Sequence, residues 1–273
     1  MSSNPSIPTP VLGRTADGHL AAAIGDTALA ALPSRSGLCL AYGSALTRPI
    51  ELWTVDDFYG RGRILADEAE FRRAVDEQYR HQVERSQLDR PLEQGTAHTP
   101  WGPAQWTRIY APGIRLHSTA GHGGFELAPD RNQLVHESLR ISSGWYEEDS
   151  DWVAVVVSFP ELFTSLERQD AERTLRNWNP DAWERIHGRK LEPGESRERD
   201  HRVWLAEHAD DFIVIAASSS KRTGYVDCTA TKGGLRTGRP HLFLVPKDEY
   251  TPHPFGFVID PLRHEQRNRE YPA

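Results

Sequence analysis

Cysteine is nearly absent from this sequence: Cys39 and Cys228 are the only two, far apart and outside any CxxC pair. That excludes a disulfide framework and a thiolate zinc knuckle. It is the usage expected of structural thiols in a reduced, bacterial-type cytoplasm. Long apolar runs are missing too, and none approaches the ~20 residues that cross a bilayer. The opening MSSNPSIPTP has neither a basic stretch nor an apolar one, so no secretory signal is expected. No Walker A loop, GxSxG elbow or HExxH helix occurs. Nor is there an excess of positive charge. The net charge of -7 argues against wholesale nucleic-acid binding while leaving room for a local basic patch.

What is present is an ordinary globular composition, 38% hydrophobic and 26% charged over 273 residues. That length suits one large domain or a main domain with an annex. The expected division is an annex over 1–95, a main domain over 96–265 and a tail over 266–273. Residues 1–18 read as a loose arm or an edge strand. Asp26 is placed to cap a short helix over 27–32 that Pro33 ends. Residues 37–43 and 50–55 read as strands. Phe71, Val75, Tyr79 and Val83 recur at four-residue spacing and predict an amphipathic helix over 67–88. The Pro- and Gly-bearing stretch 88–98 is the candidate boundary.

In the main domain, 105–110 and 114–119 read as strands joined by a tight turn at Ala111-Pro112-Gly113. Residues 129–141 read as a short helix or turn. The β-branched run 152–159 reads as a central strand. Ser158 and Pro160 mark the start of a helix reaching 178. Asn179 and Pro180 start a second helix ending by Gly188, and a third spans 194–210. Strands follow at 212–217, 225–230, 241–245 and 255–259. Consecutive strands imply antiparallel neighbours. The expected fold class is therefore α+β, a mixed and largely antiparallel sheet with helices packed on it.

Chemistry concentrates between residues 98 and 152, which hold four of the eight Trp and four of the twelve His. His122 sits among Gly121, Gly123 and Gly124, where the backbone is free to approach something closely. Two readings stand: a tight turn with a satisfied histidine, or a site with His122 as acid, base or metal ligand. In the second, His117, Ser118, Thr119 and Glu148 (or its neighbours Glu147 and Asp149) are the supporting candidates. A carboxylate there would orient the imidazole or bind a cation. Candidate binding residues are Trp101, Gln105, Gly123, Gly124, Trp145 and Tyr146. His117 and His122 alone do not make a metal centre, so metal and cofactor stay unassigned. A second feature is cationic: Lys221, Arg222, Lys232, Arg236 and Arg239, opposed only by Asp227, read as a solvated hairpin tip or as a contact for anions or a nucleic-acid backbone.

The motifs TPWGPAQ, STAGHGG and YEED, at Thr99 to Gln105, Ser118 to Gly124 and Tyr146 to Asp149, resemble a bacterial family of domains of unknown function. That family is often carried on plasmids and other mobile elements, and the likeness is expected to cover about 97–265. It implies an accessory role in replication, transfer or escape from host defence. Two functions follow as expectations. One is binding to a host protein or a nucleic-acid-handling complex, with no membrane partner. The alternative is a hydrolase or transferase using His122. Binding is preferred, because neither a nucleophile nor a cofactor motif completes a catalytic set.

Overall fold

The computed structural model describes residues 7–267 apart from 36, 96 and 252. The fold is α+β. It has three five-stranded sheets, and every described strand pairing in them is antiparallel. The chain divides into two compact units between Thr174 and Leu175. No helix among the described residues is long and apolar enough to cross a membrane.

The first unit opens with β1 (Val11–Arg14), β2 (Leu20–Ile24), β3 (Thr27–Ser34), β4 (Gly37–Ser44) and β5 (Gly60–Leu65), paired in chain order. The helix expected over 27–32 is thus a strand. Its two faces explain the misreading. Ala28, Ala30 and Leu32 pack with Trp53 and Phe58, while Leu29 and Ala31 pack under Phe71, Ala74 and Val75. A strand buried on both sides loses the polar alternation that would mark it. The strand expected over 50–55 is instead a pair of single 3-10 turns, Ile50–Leu52 and Val55–Asp57. Thr54 and Asp57 form a capping box on the second turn. Helix α1 (Glu68–Gln87) follows as the spacing predicted, with the Asp67 side chain accepting from Glu70 N.

The chain then passes through β6 (Leu92–Glu93) and a two-stranded ribbon, β7 (His98–Thr99) with β8 (Gly102–Pro103). Next come β9 (Trp106–Ala111), β10 (Ile114–Ser118) and β11 (Gly123–Leu127), then α2 (Pro129–Asn132) and β12 (Trp145–Glu147). These strands make the second sheet in the order β12-β11-β10-β9-β6. Tyr110, Phe125 and Phe163 pack together, with ring centroids 5.1–6.0 Å apart. The strand expected at 152–159 is a helix, α3 (Trp152–Ser158). Its residues 153–156 are all buried, so the run is apolar all round and carries no periodicity to separate helix from strand. Ser158 closes α3 by donating to Ala154 O rather than starting the next helix. That helix, α4 (Ser165–Trp178), begins at a box in which Thr164 Oγ1 accepts from Glu167 N and Glu167 accepts from Thr164 N. Arg90 reaches Glu167 with two hydrogen bonds, of 2.8 and 3.1 Å, and lies over the Tyr110 ring at 4.3 Å.

The second unit holds α5 (Pro180–His187), α6 (Arg197–Glu207), β13 (Phe212–Ser219), β14 (Tyr225–Lys232), β15 (His241–Pro246), β16 (Val258–Ile259) and β17 (Glu265–Arg267). The sheet order is β16-β13-β14-β15-β17. Asn179 caps α5 with Pro180 at its first position, and Gly188, at φ 64°, ends it. Cys228, Ala230, Phe243, Val245 and Ile259 form the sheet's buried cluster. Burial pushes the Cys228 thiol up to about 11. Of the expected arm and tail, Val11–Arg14 forms edge strand β1 and Gln266 and Arg267 belong to β17. Residues 1–6 and 268–273 lie outside the described residues.

Candidate functional site

The second sheet builds the site from three successive antiparallel steps. The turn at Pro112 sets Thr107 opposite His117, and the turn at residues 119–122 sets His117 opposite Gly124. Gly124 lies opposite Glu147. Opposed residues share a face, so one face carries Thr107, His117, Gly124, Trp145 and Glu147.

His117 is not open to a substrate. It is 1% exposed, with Nδ1 bonded to Thr107 Oγ1 at 2.8 Å and Nε2 to Glu126 Oε2 at 3.1 Å. The Trp145 ring lies 5.5 Å away. Strand alternation puts Ser118 on the opposite face. Thr119 is also committed. Its Oγ1 donates to His122 O at 2.7 Å and accepts from His122 N at 3.2 Å, which ties the four-residue turn shut. The turn reading therefore holds for the backbone.

The glycines serve close packing. A Cβ on Gly124 would lie 2.3 Å from the Trp101 ring and 2.3 Å from Tyr146 O; one on Gly123 would lie 2.5 Å from the Glu148 carboxylate. Trp101 thereby lies across the sheet and meets Trp145 edge-on at 5.9 Å. Tyr146, expected among the binding aromatics, belongs to the core. It is fully buried and its hydroxyl donates to Asn132 Oδ1. Burial raises its pKa above the ordinary range. Gln105 is exposed at the end of β9, its N–H donating to Ser118 O.

The His122 side chain is free of the turn and 62% exposed. Its ring lies with the carboxylates of Glu147, the last residue of β12, and Asp149, in the turn that follows. Nδ1 lies 3.7 Å from Glu147 Oε1, too long for a hydrogen bond. Glu147 Oε2 accepts from Asp149 N, Ser150 N and Ser150 Oγ at 3.0–3.1 Å, which leaves Oε1 turned toward His122. One donor atom from each of His122, Glu147 and Asp149 lies within 4.8 Å of the others. An imidazole with two carboxylates suits a divalent cation or a proton relay.

Residues 94–209 match the family model of a domain of unknown function, DUF7007. No curated protein and no solved structure matches the chain. The DUF7007 match takes in the β7–β8 ribbon and strands β9 to β12 of the second sheet, all but β6, and with them His122, Glu147 and Asp149. It ends before β13, short of the 265 expected, and leaves the cationic stretch outside.

That stretch lies in the second unit. Lys232, Arg236 and Arg239 are exposed on the end of β14 and the connection to β15, and none makes an ion pair with a described residue. Lys221 is likewise exposed, while Arg222 pairs with Glu265 at 3.2 Å and lies over Tyr225. Asp227, the expected opposing acid, pairs with Arg267 at 3.4 Å. Thr107 and Glu126 were not singled out from the sequence. The first was findable there, since folding β9 onto β10 about Pro112 places 107 against 117.

Proposed function

We propose that this chain is an accessory protein of a bacterial mobile element that acts by binding a nucleic-acid-handling complex, with the phosphate backbone as the group it meets. The mobile-element context rests on the resemblance carried by the 99–105, 118–124 and 146–149 motifs. The binding role rests on one observation: Lys232, Arg236 and Arg239 are exposed and unpaired among the described residues. Elsewhere in the same unit Arg189, Lys190, Arg199 and Arg202 are each held by a carboxylate. Cations left in water are the ones available to displace counterions from a polyanion.

The test is anisotropy of labelled duplex and single-stranded DNA and RNA across a salt series. Wild type should bind, with affinity falling steeply with salt. Replacing Lys232, Arg236 and Arg239 together by alanine should flatten the log–log salt slope, by up to ~0.9 per lost phosphate contact. No binding at low salt, or an unchanged slope in the triple variant, sinks the nucleic-acid reading and leaves a host protein as the partner to seek.

A second reading is favoured by the convergence of His122, Glu147 and Asp149. Here the chain is a hydrolase or transferase in which His122 acts as acid, base or metal ligand. Mass-spectrometric metal analysis of tag-free protein tests it. Zinc, manganese or iron near one per chain, lost in His122→Ala, supports it; metal-free protein in both forms removes its metal version.

A further inference from the structure

Beneath α1 in the first unit lies a cavity of about 160 Å³ between the first sheet and the start of α4. Its floor is apolar: Leu29 and Leu40 from the sheet, Ala74 from α1 and Leu166 from α4. By volume, a space of about 150 Å³ is enough for a molecule the size of benzene. The space therefore suits one small ring or a branched aliphatic group rather than a drug-sized ligand.

Two neutral polar side chains also line it, Gln78 from α1 and Tyr42 from the sheet, and Tyr42 stands out. Tyr42 lies opposite Gly60 on β5, and its ring rests on glycines that leave room for it: a Cβ on Gly62 would come 2.9 Å from Tyr42 Cε2. The hydroxyl holds no hydrogen bond to any described residue. It is not among the polar atoms sealed from solvent. Burial raises its pKa above the ordinary range, so it stays a donor at neutral pH.

The rim is charged but balanced. Arg63 pairs with Glu77 at 2.9 Å, and Arg173 with Asp170 at 2.5 Å. With its charges already paired, the rim offers an ionic ligand little to gain, whereas a neutral one needs no counter-charge. We propose that this cavity is a binding site for a small neutral amphiphile, an apolar body of about one benzene ring carrying a hydroxyl or carbonyl group that pairs with the Tyr42 hydroxyl.

Ligand-observed NMR titration of the full chain with phenol, benzoate and benzylamine tests this. Phenol should bind saturably, and about tenfold or more tighter than either charged analogue. Tyr42→Phe should weaken phenol roughly two- to tenfold, the worth of one hydrogen bond. Ala74→Leu fills the floor and should abolish binding. Where that variant fails to fold by circular dichroism, Leu166→Phe fills the same space from α4 and decides the matter. No saturable phenol binding overturns the proposal. So does tighter binding of benzoate or benzylamine, or wild-type phenol affinity in a folded cavity-filled variant.

Discussion

His117 and His122 lie five residues apart on one hairpin and have opposite fates. The first is enclosed by Thr107, Glu126 and Trp145; the second stands in solvent beside Glu147. His117→Ala should therefore destabilise the protein by about 1–3 kcal/mol, through a cavity and an unpaired buried hydroxyl. His122→Ala should stay within about 0.5 kcal/mol of wild type. Urea denaturation of both variants checks this, and equal losses would refute the division of roles. Gly124→Ala drives a methyl into the Trp101 ring and Tyr146 O. An overpacking cost of about 1–3 kcal/mol is expected, with a change in tryptophan fluorescence as Trp101 is displaced. Neither outcome was legible in the lettering. The Gly-His-Gly-Gly run marked close approach correctly, but the sequence does not say that the approaching group is Trp101.

Legibility differs from element to element for a physical reason. Helix α1 was readable because one of its faces is wet, so its apolar residues keep a period. Residues 28–32 of β3 and 153–156 of α3 are all apolar and buried, and the same pattern folds one way as a strand and the other as a helix. What separates them lies outside the runs. β3 is flanked by two partner strands, whereas Ala154 N bonds back to Asp151 O in the first turn of α3. The Thr164–Glu167 box, not Ser158-Pro160, starts α4. Thr164→Ala should cost about 1 kcal/mol as a lost cap, and more where its 2.8 Å bond to His81 contributes. Chemical denaturation reads this directly. In the second unit the ion pairs around α5 and α6 set an acid response. Two hydrogen bonds from Arg189 and one from Glu192 N hold the Glu195 carboxyl at about 2, below its ordinary 4.5. A carboxyl lowered by folding contributes stability that is present above the unfolded value and lost as pH falls through the folded one. The loss should fall between pH 4.5 and about 2, and Glu195→Gln should flatten the denaturation midpoint in that window.

For the whole molecule, the α+β class was readable from the sequence. Late consecutive strands gave away antiparallel pairing, since short connections join neighbours. The break between compact units falls inside α4, an uninterrupted helix with no Pro or Gly to mark it. The stretch at 88–98 drew attention by composition. It brings Arg90 against Glu167 within the first unit. Burial raises the Glu167 carboxyl, but the Arg90 and Thr164 N–H bonds outweigh it and hold the group below its usual range. Arg90→Ala would leave that carboxylate without its partner, and a loss of about 3 kcal/mol or more is expected by thermal or urea melts. Neutralising Lys232, Arg236 and Arg239 should by contrast leave stability within about 0.5 kcal/mol, so that lost binding is not lost folding.

The two buried cysteines have a practical use. Both are under 4% exposed, and a Cys228 thiol with a pKa of about 11 is ionised to roughly one part in a thousand at pH 8. Thiol reagents attack the thiolate, so the native chain should be nearly silent toward maleimides while it stays folded. A cysteine introduced beside His122 or at Arg236 would then be the one reactive handle. Spin labels or fluorophores could be placed at either candidate surface without first rebuilding the core around two serines.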